Sequence, residues 1–181
     1  MTDLMIDLET MGRPPRGAIV AIGAVGFNIE TGQVGEVLDL AVSLVSSSEM
    51  GMKIDPRTVL WWLDQDKEAV KTWLRPDAMD LTAACIAFMD WYGKTLQADR
   101  KTRIWAKGPS FDLVILQSAL RRCKMGAPWH HRQERCVRTI IDQATQQGMV
   151  ELERTELRHS AVEDCLYQIK QVHLAWGVLN R

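Results

Sequence analysis

The sequence predicts an α/β fold: one mixed β-sheet, antiparallel over its first three strands and flanked by helices. Three observations carry that prediction. Apolar strand-like runs joined by short turns fill residues 4–45, amphipathic helical patterns dominate from 55 onward, and one short apolar run returns between helices at 103–106. Short separations between early strands favour an antiparallel meander. A later strand set among helices favours helical cover over a shared sheet.

The first run, 4–9, alternates Leu4, Ile6 and Leu8 with Met5, Asp7 and Glu9, which is the period of a β-strand. Asp7 and Glu9 therefore leave the same face of that strand. After a Pro/Gly/Arg loop at 11–17, residues 19–27 are apolar almost throughout, as in a strand buried on both faces. Turn residues at 28–32 lead to a third strand at 36–45, which alternates less cleanly, and 46–51 read as a polar loop. Asp55-Pro56 then starts a helix, with Asp55 as N-cap and Pro56 in the first turn. That helix is short and very apolar, from Val59 to Leu63. A second short one covers 67–74 and stops before Pro76.

A longer helix over 78–96 aligns Leu81, Ala84, Cys85, Phe88, Trp91 and Tyr92 on one face. After a charged loop comes the strand at 103–106, and Pro109-Ser110 opens a helix holding Phe111, Val114, Ile115 and Leu120. Residues 128–138 read as irregular and basic. A helix over 139–147 ends at Gly148. The last helix, 161–179, turns Val162, Leu166, Ile169, Val172 and Trp176 inward.

The 181 residues suit one domain, 1–181, with a substantial core. Hydrophobic residues at 46% and charged residues at 25% match a soluble globular protein. The net charge of −1 gives no global nucleic-acid signature, but an enzyme that holds its substrate briefly does not need one. Cys85, Cys123, Cys136 and Cys165 are far apart and form no CxxC pair. That pattern predicts reduced thiols and a cytoplasmic protein with neither a zinc site nor a disulfide framework. No basic start with a long apolar stretch marks a signal peptide, and no apolar run approaches the ~20 residues that span a bilayer. No membrane partner is expected.

Asp7 and Glu9, side by side, repel each other and lose hydration. A divalent cation is the usual compensation. Near the other end, Ser160 and Glu163 fit a capping box opening the last helix. That puts His159 at N′ and Asp164 at N4, positions that meet in a hydrophobic staple, so imidazole and carboxylate can share one small region. A structural His–Asp contact accounts for this pair taken alone, and accounts for it less well beside Asp7 and Glu9. Asp112 falls in a first helical turn, where the dipole favours a carboxylate whether or not it serves chemistry. Its flanks, Phe111, Leu113 and Val114, indicate a mostly buried helix, and Gly108 allows close backbone approach.

Taken in order, Asp7-x-Glu9, Phe111-Asp112 and His159-x4-Asp164 resemble the DEDDh 3′–5′ exonucleases of the ribonuclease H-like superfamily. The strings MIDLETMG, VAIGAV, WWL, GPSFDLVIL and VRTI are similar to a bacterial and phage subgroup of 3′–5′ exoribonuclease-like proteins, some labelled exodeoxyribonuclease VIII-like. The resemblance covers most of the chain and implies a ribonuclease H-like sheet whose later strands are parallel. It implies two divalent cations, Mg2+ or Mn2+, held by Asp7, Glu9, Asp112 and Asp164, with His159 as general base. The implied partner is the 3′ end of single-stranded RNA or DNA, cleaved to nucleoside 5′-monophosphates. Family members often form homodimers, although no residue here identifies an interface.

Thr10 and Met11 match the segment that holds the terminal nucleotide in that family, and ordinary packing explains Met11 as well. Trp61 and Trp62 point about 100° apart on a helix. One therefore belongs in the core and the other at a cleft, where it can stack on a base; Trp62 is the one expected to stack. Arg13, Arg16, His131, Arg132, Arg135 and Arg138 could reach phosphates, or simply form solvated loop faces. His130 and His131 lack further ligands at a metal spacing, and His173 reads as structural. Cys136 stands where an acid is frequent in the subgroup, and Lys107 where a small polar residue is commoner. Both concern substrate contacts rather than the catalytic set.

Two other readings remain at this stage. A ribonuclease H-like endonuclease would use the same four acids, and its oligonucleotide products would tell it from an exonuclease. A non-catalytic nucleic-acid-binding module would keep the fold without turnover.

Overall fold

Alternating burial along the first strand sets the architecture. The computed structural model describes residues 1–95, 102–155 and 157–181. Strand β1 (Asp3–Thr10) is central in a five-stranded sheet of order β3-β2-β1-β4-β5. It pairs antiparallel with β2 (Ile19–Phe27), which in turn pairs antiparallel with β3 (Val34–Ala41). On its other side β1 runs parallel to β4 (Arg103–Ala106), and β4 parallel to β5 (Glu134–Cys136). The mixed sheet is the one expected: antiparallel first, parallel after.

Every residue of β2 is buried, because helices cover both faces of the sheet. Leu4, Ile6 and Leu8 pack with Phe88 of α4 (Leu81–Thr95) and Leu113 and Leu116 of α5 (Asp112–Arg122). Met5, Val25 and Phe27 pack on the opposite face with Ile140 of α6 (Val137–Gln146) and Ile169 and Val172 of α7 (Ala161–Leu179). Asp7 and Glu9 share the face of Met5, so they lie beneath α7. Burial of these side chains, at roughly 25 cal/mol per Å² of apolar area, is the main force holding each layer to the sheet.

Several boundaries differ from the sequence reading, each for a local reason. The third strand runs from Val34 to Ala41 rather than 36–45, and 44–49 is not a loop but a helix, α1 (Leu44–Glu49). Its serines look like loop composition, but Ser43 caps it, its Oγ accepting the Ser46 N–H at 3.2 Å. Helix α2 (Pro56–Leu63) starts where predicted, with Asp55 Oδ1 accepting the Arg57 N–H at 2.8 Å. Helix α3 is shorter than expected, Lys67–Lys71. The long helix begins at Leu81, and its expected end at Leu96 lies outside the described residues, as does the charged loop at 96–101.

Residues 128–138, expected to be irregular, contain a 3-10 turn (His131–Gln133) and β5. Three residues are too few to show a period, and β5 exists only through its pairing with β4. Helix α6 follows directly from Val137 instead of Thr139. The last helix has the predicted bounds but is rotated from the predicted face. Ala161, Cys165, Ile169, Val172 and Ala175 are buried, whereas Val162, Leu166 and Trp176 are half-buried. Small residues line that face because the helix lies close on the sheet. Among the described residues no helix is long and apolar enough to cross a membrane.

Candidate active site

The closest approach of α7 to the sheet builds the site. Gly23 of β2 sits opposite Asp7 in the antiparallel register. A Cβ at Gly23 would lie 2.4 Å from the carbonyl carbon of Ala161, so only glycine admits the helix start there. One turn later Asp164 arrives over β1. Carboxylate oxygens of Asp7, Glu9 and Asp164 then lie within 4.8 Å of one another. Asp112 enters at the first position of α5, and its Oδ1 accepts the Leu8 N–H at 3.2 Å. All four acids thus meet at the carboxyl end of the parallel strands, where open α/β sheets place their ligands.

The electrostatics of this cluster show what it lacks. Burial pushes the Asp7 carboxyl well above the usual carboxylate range, and Asp112, Glu9 and Asp164 push it further; the Gln168 amide, donating to Asp7 Oδ1 at 2.8 Å, opposes them. Glu9 is raised in the same way, by burial and then by Asp164 and Asp112, with Arg154 pulling it down. Burial lifts Asp112 to about 7 against its backbone hydrogen bonds and the charge of Arg138. Acids held this far from their preferred state are short of positive charge. The donors present are oxygens only, clustered within a few ångströms, and they fit a hard divalent cation such as Mg2+ or Mn2+.

His159 stands beside the cluster, but not as the capping box predicts. Ser160 occupies the N-cap position of α7, yet its side chain makes no cap hydrogen bond. Instead Asp164 Oδ2 accepts the backbone N–H of His159 at 3.0 Å, and His159 takes a left-handed φ of 61°. The staple positions do meet, through backbone and carboxylate rather than through two side chains. The imidazole is half-buried, edge-on to Trp61 with centroids 4.8 Å apart. Burial lowers its pKa, Asp164 opposes that, and Arg154 and Arg158 reinforce it. A neutral imidazole beside Asp164 can accept a proton.

A cleft of about 240 Å³ opens next to Glu9, lined also by Thr10, Arg13, Trp61, Trp62 and Phe111. Of the two tryptophans that line it, Trp62, the one expected to stack, is the buried one. Trp62 is 3% exposed and donates its Nε1–H to the Thr10 carbonyl at 3.0 Å, so its ring is a wall of the core. Trp61 is 43% exposed, and Phe111 shares the cleft. Met11 is buried in the core, as packing alone requires, and Thr10 Oγ1 donates to the Gly12 carbonyl at 2.8 Å.

The basic residues separate. Arg138 acts on Asp112, whereas Arg135 bonds the carbonyls of Arg132 and Glu134, and Arg13 pairs with Asp55 at 3.1 Å. Arg16 is exposed. His130 and His131 line a larger opening of about 610 Å³ with Arg132, which none of the five catalytic candidates borders. His173 Nδ1 lies 2.8 Å from the Ile29 carbonyl, a structural contact.

Sequence reasoning missed Gln168 and Arg154. Gln168 had a signal: a polar residue on the buried face of α7, four residues after Asp164. Arg154 had none, because it lies in an irregular stretch with no period to read.

Residues 2–176 match the family described as the 3′–5′ exoribonuclease Rv2179c-like domain. An exodeoxyribonuclease of Enterobacteria phage T4 is 30% identical over 129 residues, 67% of this chain, and this chain spans only 56% of that protein. Among solved structures, Escherichia coli exonuclease I in a zinc-bound complex with single-stranded DNA superposes with a TM-score of 0.70 at 15% identity, over 99% of this chain and 41% of that one. The nuclease domain of 3′hExo, a DEDDh family member bound to rAMP, superposes with a TM-score of 0.59 at 13% identity, over 94% and 89%. At these identities the two structures establish the fold: the ribonuclease H-like arrangement expected from the motifs.

Proposed function

The chain belongs to the 3′–5′ exoribonuclease Rv2179c-like family, a group of 3′–5′ exonucleases of the DEDDh type, and from that premise we propose how its residues act. The reaction is stepwise hydrolysis of single-stranded nucleic acid from the 3′ end. One observation supports it above the rest: clustered, largely buried carboxylates whose mutual repulsion raises the Asp7 pKa, flanked by a half-buried histidine and an open aromatic cleft.

Asp7, Glu9, Asp112 and Asp164 would hold two divalent cations, Mg2+ or Mn2+, which when bound would supply activation of water and stabilisation of charge on the phosphate and the departing 3′ oxygen. His159 accepts a proton from the attacking water, as its depressed pKa and position beside Asp164 allow. The bond from phosphorus to the 3′ oxygen breaks, the terminal nucleotide leaves with its 5′ phosphate, and the shortened strand regains a 3′ hydroxyl. The terminal base enters the cleft against Trp61 and Phe111, the aromatic faces available to it, while Thr10 and buried Trp62 shape the floor. Stacking reads the face of a base and not its sugar, so both RNA and DNA are expected as substrates.

A gel time course of 5′-labelled single-stranded RNA and DNA tests the proposal, run with Mn2+, Mg2+ or EDTA. Wild type should give a metal-dependent ladder shortening from the 3′ end. Asp7→Ala should abolish it, and His159→Ala should slow it by about a hundredfold or more. Oligonucleotide products cut internally, or wild-type rates in both variants, would refute the reading.

A further inference from the structure

Arg154 is a cation built into the acidic centre by a segment outside the recognised motifs. Its Nη1 donates to Asp164 Oδ1 at 2.8 Å and its Nη2 to the Leu157 carbonyl at 2.8 Å. Its guanidinium lies over the Tyr167 ring, 4.9 Å from the centroid. Tyr167 is itself tied back, its hydroxyl donating to the Leu152 carbonyl at 2.8 Å. The Arg154 and Asp164 side chains are 13% and 17% exposed, so this is not a surface pair free to drift.

We infer that Arg154 is a positioning residue for the reaction, and that its charge tunes how strongly the carboxylate cluster holds divalent cations. The inference rests on the exonuclease reading and deepens it. Among the described residues two contacts fix the plane of the Asp164 carboxylate: Arg154 on Oδ1 and the His159 N–H on Oδ2. Both donors lie just ahead of α7, so the residue that carries the imidazole also helps to aim a carboxylate. Thr72 Oγ1 donates to the His159 carbonyl at 3.3 Å and anchors that residue. Loss of Arg154 releases one oxygen of Asp164 and loosens the segment that presents His159.

The charge acts separately from the aim. A guanidinium keeps its proton at every working pH, so Arg154 is a permanent +1 acting on Asp164 and Glu9. Removing it leaves the cluster more negative. Cations should then bind more tightly, while the phosphodiester binds and reacts less well.

These opposite signs make the test. Wild type, Arg154→Gln and Arg154→Lys are compared by Mn2+ titration with electron paramagnetic resonance, and by steady-state cleavage of a short single-stranded oligonucleotide, with circular dichroism confirming the fold of each. Arg154→Gln should bind Mn2+ about threefold or more tightly, since a nearby positive charge has gone. Its kcat should fall about tenfold or more and its KM rise. Arg154→Lys should return Mn2+ affinity to the wild-type value but recover kcat only in part, because one ammonium cannot reproduce the guanidinium fork. Weaker Mn2+ binding in a folded Arg154→Gln variant, or wild-type kcat in it, overturns the inference. Absence of both Mn2+ binding and cleavage in wild type overturns instead the functional reading beneath it.

Discussion

Asp3 and Asp7 leave the same face of the same strand, four residues apart, and the protein treats them in opposite ways. Asp3 is fully buried and fully partnered: Arg103 donates through Nε at 2.6 Å and Nη2 at 2.8 Å, Trp105 Nε1 at 2.8 Å, and Thr2 Oγ1 at 2.7 Å. Arg103 is in turn held over Trp176, 5.1 Å from the ring centroid. Asp7 accepts from the neutral Gln168 amide and faces three other acids, and its pKa rises. Burial of a carboxylate therefore does not mark a site by itself. The candidate site is marked where the fold brings acids together and answers Asp7 with only a neutral amide.

The contrast can be broken from either end, and the largest effect is expected at Asp7. Asp7→Asn should lower turnover by at least about a thousandfold, yet raise the melting temperature of the metal-free protein, since a buried like charge is gone. A thermal scan with EDTA checks the second half; a lower melting temperature would show Asp7 to be structural. Asp3→Asn should do the reverse. It strands Arg103 without its carboxylate and should cost about 3 kcal/mol in urea unfolding, with cleavage by the folded fraction unchanged. Equal loss of activity in the two variants would erase the distinction.

Two smaller effects sharpen it. Trp61→Ala should raise KM about tenfold for a single-stranded substrate and leave the melting temperature close to wild type, the cost of one lost base stack. Trp62→Ala, cut from the core, should instead destabilise by about 3 kcal/mol or more. A further effect is on pH. Asp112 is lifted to about 7 from the usual carboxylate value near 4, so between about pH 4 and 7 the folded protein binds more protons than the unfolded chain. Its contribution to stability is present below the unfolded pKa and lost as pH rises through 7; Asp7 and Glu9 act in the same direction. Melting temperature with EDTA should therefore fall as pH rises from 5 to 8 by this contribution, and saturating Mn2+ should flatten or reverse the slope.

Much of this is legible in the sequence. Period-2 alternation placed Asp7 and Glu9 on one face, Asp55-Pro56 started α2, and the bounds of α7 followed from its pattern. Such features are local, set by the backbone geometry of a few consecutive residues. The order of the acidic and histidine motifs then pointed to the family. Less legible were α1, where a capping serine resembled a loop, and β5, which has no identity apart from β4.

By itself, then, the sequence determined the fold class, the strand that carries two acids, and the helix start that carries Asp164 behind His159. Only the tertiary structure decided that Asp112 would meet Leu8, 104 positions away in the chain, that Trp61 would be the exposed tryptophan of the cleft and Trp62 the buried one, and that Arg154 and the His159 N–H would share Asp164. The physical reason is that a short sequence window fixes which way a side chain points from its own backbone. What lies in that direction, and whether it supplies or withholds a compensating charge, depends on segments brought there by packing.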